Sequence, residues 1–141
     1  MKNGIAVAGN LTVDHIKYIE RYPSVETLTT ICDTERTVGG LACNCALALA
    51  VLDPCLPVKV IGILGDDDAG DYIISRFNEH EMIDTSRILR KYKTSFSDVM
   101  TNKDTGTRTL FTFSGANSLL KPEHSVQSQN FKVFHYFIFM I

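Results

Sequence analysis

Residues 38–52 read VGGLACNCALALAVL, a glycine pair followed by a run of small and aliphatic residues with one asparagine inside it. From Leu41 onward Ala and Leu recur at helical density, and no Gly or Pro interrupts the run before Asp53-Pro54 closes it. A helix is therefore predicted here, with Gly39 and Gly40 at its start. Glycine lacks a Cβ, so backbone can approach a neighbour or ligand closely and can adopt φ > 0. The unbonded N–H groups of the first helical turn face the same space. Neither G-x-x-x-x-G-K-[ST] nor G-x-G-x-x-G occurs around this pair, which rules out a P-loop and a dinucleotide fingerprint. Asn44, one turn into the helix, offers donors and acceptors together, a chemistry suited to hydroxyls rather than phosphate. A tightly packed helix–strand contact is the plain alternative for GGLACN.

Cys43 and Cys45 flank Asn44, yet helical geometry turns them about 200° apart, so they cannot chelate together. Zinc sites also want four ligands and Cys-x2–4-Cys spacing. Both are predicted to be packing residues, and no metal site is expected. With Cys32 and Cys55 they lie in or beside apolar stretches, a pattern that fits a reducing cytoplasm better than a disulfide framework.

Working outward, GIAVAG (4–9) and VKVIGIL (58–64) are apolar runs suited to strands buried on both faces. After the first, LTVDHIKYIERYP leads through Asp14 to a turn at Pro23. A carboxylate just beyond a strand's carboxyl end stands where α/β sheets gather ligands, and it can accept from two vicinal hydroxyls. In isolation Asp14 reads more often as a turn former or helix cap. Residues 25–38, rich in Thr and Val, predict one or two exposed strands. GDDDAGDYIISRFNEHE (65–81) predicts an amphipathic helix with Tyr72, Ile73, Arg76, Phe77 and His80 on one face. Asp66, Asp67 and Asp68 lie near its start, where carboxylates favour the exposed N–H groups.

IDTSRIL opens another strand, and SFSDVMTNKDTGTRTLFTFSG reads as two strands around NKDTG, punctuated by Asp104 and Gly106. SGANSLLKPEH (114–124) reads as a loop, with Pro122 near a short helix start, before the terminal strand FKVFHYFIFMI (131–141). That last run is too short for a membrane helix, which needs about 20 residues. His135 within it is expected to be a buried histidine satisfied by a hydrogen bond. Because the sequence stops inside its most hydrophobic run, it is expected to be cut off, with an aggregation-prone exposed strand.

At 141 residues the chain suits one domain. Fourteen Lys and Arg against 16 Asp and Glu leave a formal charge of −2, with no basic stripe for nucleic acid. MKNGIAVAGN lacks a secretory apolar core. Strands alternating with helices, plus a β-rich insertion, predict an α/β sandwich built on a parallel sheet.

The order of these features is more specific than any one of them. GNLTVDH after a strand, then VGGLACNCALALAVL, GDDDAG after the next strand, IDTS, a hairpin and SGAN resemble the N-terminal half of the ribokinase-like (PfkB) carbohydrate kinases. The resemblance runs from about Gly4 to Ile141. It implies a three-layer α/β sandwich with a mainly parallel sheet and a small β-sheet lid, formed by residues of about 25–38 and 94–113. The lid often pairs between subunits in a homodimer. It also implies that Asp14 grips sugar hydroxyls, that Gly39 and Gly40 lie against the sugar, and that Asn44 completes the pocket, with Thr12 a second polar contact.

The implied activity is ATP-dependent phosphorylation of a carbohydrate hydroxyl with Mg2+, and no membrane or nucleic-acid partner. In the family a late G-A-G-D motif supplies the base. DAGD at 68–71 matches the early strand-end motif instead, so Asp71 is given no catalytic role. The base and the nucleotide site are expected beyond Ile141, with the C-terminal half absent and the isolated chain inactive. Ribokinase itself carries a lysine directly after the glycine pair, where this chain has Leu41, so ribose is not singled out. A non-catalytic polyol-binding fragment and an adenosine-like nucleoside kinase are the alternatives.

Overall fold

The computed structural model describes residues 4–121, His124 and the backbone of Phe134–Met140. The two apolar runs form its centre: β1 (Gly4–Gly9) lies parallel to β4 (Val58–Leu64), with Val7 opposite Val60 and Ala8 opposite Ile61. β5 (Ile83–Arg90) flanks β4 and β8 (Phe134–Met140) flanks β1, giving an all-parallel sheet of order β5-β4-β1-β8. The burial of the terminal strand and the setting of His135 and Pro122 lie outside the described residues.

Two helices among the described residues cover one face of this sheet. α1 (Leu41–Leu52) contributes Ala42, Cys43, Ala46 and Ala50, and α2 (Asp68–Phe77) contributes Ile73 and Phe77, to one core with Val7, Val58 and Val60. The stripe of small residues on α1 lets it sit close to β1 and β4. Phe77 and Ile73 are fully buried, and burial of a side chain of that size stabilises the fold by roughly 1.5–3 kcal/mol. Ala6, Ala8 and Ile61 form a second cluster on the opposite face.

A second sheet stands apart, of order β3-β2-β6-β7. It comprises β2 (Thr12–Ile19), β3 (Ile31–Gly39), β6 (Ser95–Asn102) and β7 (Arg108–Phe113). β2 runs antiparallel to β3 and parallel to β6, and β6 and β7 form the expected hairpin. Two details differ from the sequence reading. Residues 12–19, taken as an approach to a turn, are an interior strand of this sheet. Polar Asp14, His15 and Lys17 on both of its faces conceal the alternation that marks a strand with one wet side. In addition, β3 starts at Ile31, because Val25 and Leu28 are exposed in a turn where Glu26 has a φ of 63°.

In the β6–β7 turn Gly106 supplies the positive φ as expected, at 70°. The capping side chain is Asn102, whose Oδ1 accepts from the N–H groups of Asp104 and Thr105 at 3.0 and 2.9 Å. The sheets meet where β1 passes through Asn10 and Leu11 into β2, and where β3 turns at Gly40 into α1. Among the described residues no helix is long and apolar enough to cross a membrane.

Candidate functional site

Thr12 pairs with Gly39 across β2 and β3 and with Ser95 across β2 and β6, while Asp14 pairs with Thr37 and Ser97. Strand side chains alternate, so Thr12 and Asp14 share one face of β2, and Gly39 lies beneath both. A Cβ at Gly39 would strike the Asp14 carboxylate, 2.9 Å from its Cγ, and would lie 2.9 Å from Thr12 Oγ1. Only glycine leaves these two polar side chains their positions.

Gly40 adopts φ 88° and ψ 147°, near a region that is almost exclusively glycine's. A Cβ there would collide with the Asn10 carbonyl and lie 3.2 Å from Leu11 Cα. Gly40 is also the N-cap of α1, which has no side-chain cap, so first-turn N–H groups remain open at this step. The Asn44 N–H donates to the Gly40 carbonyl at 2.9 Å, and its side chain is exposed on the first turn. The structure thus brings Thr12, Asp14, Gly39 and Gly40 together, while Asn44 follows them on the first turn of α1, bonded to Gly40 by the helix's own backbone.

Burial pushes the half-buried Asp14 carboxyl above the usual carboxylate range, against the opposing hydrogen bond from the Ser97 side chain and the charge of His15. Burial, with the Asp14 charge added, pushes the Cys43 thiol up to about 12. Cys43 is therefore a protonated, inert packing residue, as expected. Cys45 is half-buried with its pKa raised by burial, Cys32 and Cys55 are exposed, and all four thiols are free. Among the described residues no group of three or more His, Cys, Asp or Glu could hold a metal ion.

The DAGD segment is engaged structurally. Asp71 accepts from Arg90 at 2.6 Å, and Arg90 also lies 3.7 Å from Asp66. Asp67 caps α2 through the Gly70 N–H at 2.9 Å and takes two bonds from Thr94, from its N–H at 2.9 Å and its hydroxyl at 2.5 Å. Burial opposes ionisation of Asp67, but the Thr94 and Gly70 bonds and the Arg90 charge outweigh it and hold the carboxyl below its ordinary value. Two further residues were given no site role from the sequence. Ser97 faces Asp14 from β6, and Asn117 of SGAN bonds both backbone groups of Leu11. SGAN marks Asn117 in the order of features, but the role of each residue shows only across a long chain separation.

This arrangement coincides with a sequence match: the profile of the pfkB family carbohydrate kinases matches residues 2–139. The chain belongs to the pfkB family. A curated relative, the ribokinase of Staphylococcus aureus (strain COL), is 26% identical over 133 residues, covering 92% of this chain and 42% of its own length. The crystal structure of ribokinase from Cryptococcus neoformans var. grubii serotype A in complex with ADP superposes with a TM-score of 0.77. It is 16% identical and is matched over 98% of this chain and 42% of its own. Arabidopsis thaliana ribokinase complexed with ribose and ATP gives a TM-score of 0.72 at 24% identity, over 83% and 38%. These likenesses confirm the ribokinase-like fold. The chain spans about two-fifths of the length of these pfkB relatives.

Proposed function

We propose that this chain is the substrate-holding part of an ATP-dependent carbohydrate kinase. The observation that carries the proposal is the convergence of the Asp14 carboxylate and the Thr12 hydroxyl over Gly39, a position with no room for a Cβ. The missing Cβ of Gly39 lets this carboxylate and this hydroxyl sit side by side, where both can face a neutral polyol. The Asp14 carboxylate then accepts from two hydroxyls, and its partial desolvation strengthens each of these charge-assisted bonds. Thr12 donates or accepts beside it, and Gly39 and Gly40 form the floor. The exposed Asn44 amide on the first turn of α1 completes the pocket. The second sheet, which carries Asp14, serves as the lid.

In this reading ATP and Mg2+ are held elsewhere in the family enzyme, because Asp67 is engaged by Thr94 and Gly70 and Asp71 by Arg90. Phosphoryl transfer rests on positioning and electrostatic stabilisation of the transferring group. In this reading those parts belong to segments of the family enzyme outside the matched two-fifths, and the chain alone transfers no phosphate. Homodimerisation through the lid belongs to the same reading, with Leu110 56% exposed on the end strand β7.

The test is a calorimetric screen of the chain against ribose, fructose and adenosine, with an ATP-coupled turnover assay alongside. Saturable binding of one of them without turnover supports the reading. Turnover by the pure chain, or no binding of any, sinks it.

A further inference from the structure

We infer that Asn117 is a positioning residue for the Asp14 site, a proposal that rests on the sugar-holding reading above. Asn117 lies in the 3-10 turn Gly115–Leu119, far along the chain from β2. Its Oδ1 accepts from the Leu11 N–H at 3.1 Å, and its Nδ2 donates to the Leu11 carbonyl at 3.1 Å. One side chain thereby satisfies both backbone groups of the residue that links the parallel sheet to the lid. The Asn117 N–H in turn donates to Ser95 Oγ at 3.0 Å, and the Ser95 hydroxyl donates to the Ser114 carbonyl.

Leu11 is held from two other sides as well. Its side chain is 0% exposed and packs over Gly62 of β4, where a Cβ would fall 2.6 Å from its Cδ1. Its Cα lies 3.2 Å from where a Cβ of Gly40 would stand. Thr12 follows directly and pairs with Gly39 and with Ser95, itself bonded to Asn117. The amide bracket thus sets the point from which β2 leaves the parallel sheet, and with it the height of Thr12 and Asp14 above the glycine floor. A carboxylate in its place keeps the acceptor for Leu11 N–H but loses the donor to its carbonyl.

The test compares the chain with its Asn117→Asp and Asn117→Ala variants and with Asp84→Ala as a control. Asp84 pairs with Lys59 on β4 and β5, away from the site. Backbone amide NMR shifts without ligand report positioning, and the calorimetric Kd for ribose reports its consequence. Asn117→Asp should shift the amides of Thr12, Asp14, Gly39 and Gly40 and weaken ribose binding roughly fivefold to tenfold, as for one lost buried hydrogen bond. Asp84→Ala should melt earlier with an unchanged Kd. Shifts confined to residues near 117 with an unchanged Kd overturn the inference. Shifted site amides in a chain that never binds ribose would uphold the bracket and refute the choice of sugar instead. Should the variants fail to fold, hydrogen exchange on the native chain decides. The Leu11 amide must be protected, and exchange as fast as in the 103–107 turn would refute the bracket.

Discussion

Gly39 lies under Asp14 so closely that a Cβ would displace the carboxylate: its position is 2.9 Å from the Asp14 Cγ. The two residues come from adjacent strands of the second sheet, in a register where Thr12 faces Gly39 directly. The glycine pair therefore makes space for a carboxylate on one strand and, through the φ of Gly40, turns the next segment into a helix. One dipeptide shapes the site and the chain path together.

Gly39→Ala should separate these roles. The added methyl displaces the Asp14 and Thr12 side chains and leaves backbone dihedrals unchanged, so the expected result is loss of sugar affinity by roughly tenfold or more with a small change in melting temperature. Calorimetry paired with a thermal melt checks it. A large melting loss with intact affinity would contradict the assignment.

Gly40→Ala should act on stability first. Its φ of 88° strains any L side chain, and the methyl meets the Asn10 carbonyl. A destabilisation of about 1–3 kcal/mol is expected, measured by urea titration.

Asp14 should weaken the fold it serves. Burial raises its folded pKa above the unfolded value, so its contribution is fully present below the unfolded pKa and lost as pH rises through the folded one. Asp14→Asn should therefore melt higher than the wild type at neutral pH, with the difference vanishing in acid. Thermal melts across that range check the sign, and a variant less stable at neutral pH would count against it.

Asp67 has the opposite sign. Its carboxyl is held below the ordinary value, so its contribution is present above the unfolded pKa and lost as pH falls through the folded one. Asp67→Ala should cost about 1–2 kcal/mol at neutral pH, as for a lost helix cap, and progressively less in acid. A pH series of urea midpoints measures the gap.

Elements whose signal is local were legible in the sequence. β1, β4 and α1 match their apolar runs residue for residue, because a continuous run between glycines or prolines leaves few alternatives. The strand nature of 12–19 was not legible, because β2 is made a strand by β3 and β6, far away in sequence, rather than by its own pattern. In the same way Asp14, Gly39 and Gly40 stand out as residue types in a telling order. Ser97 carries no such mark, and SGAN places Asn117 in the order without revealing its partner, which only the fold supplies.

The central claim is that Asp14 holds a hydroxyl-rich ligand over Gly39. A calorimetric titration of ribose into the chain and into its Asp14→Ala variant, at matched fold by circular dichroism, tests it most directly. The account predicts saturable binding to the wild type and a loss of roughly tenfold to a hundredfold in the variant, as for a charge-assisted hydrogen bond. Equal affinity of the two folded proteins would contradict it.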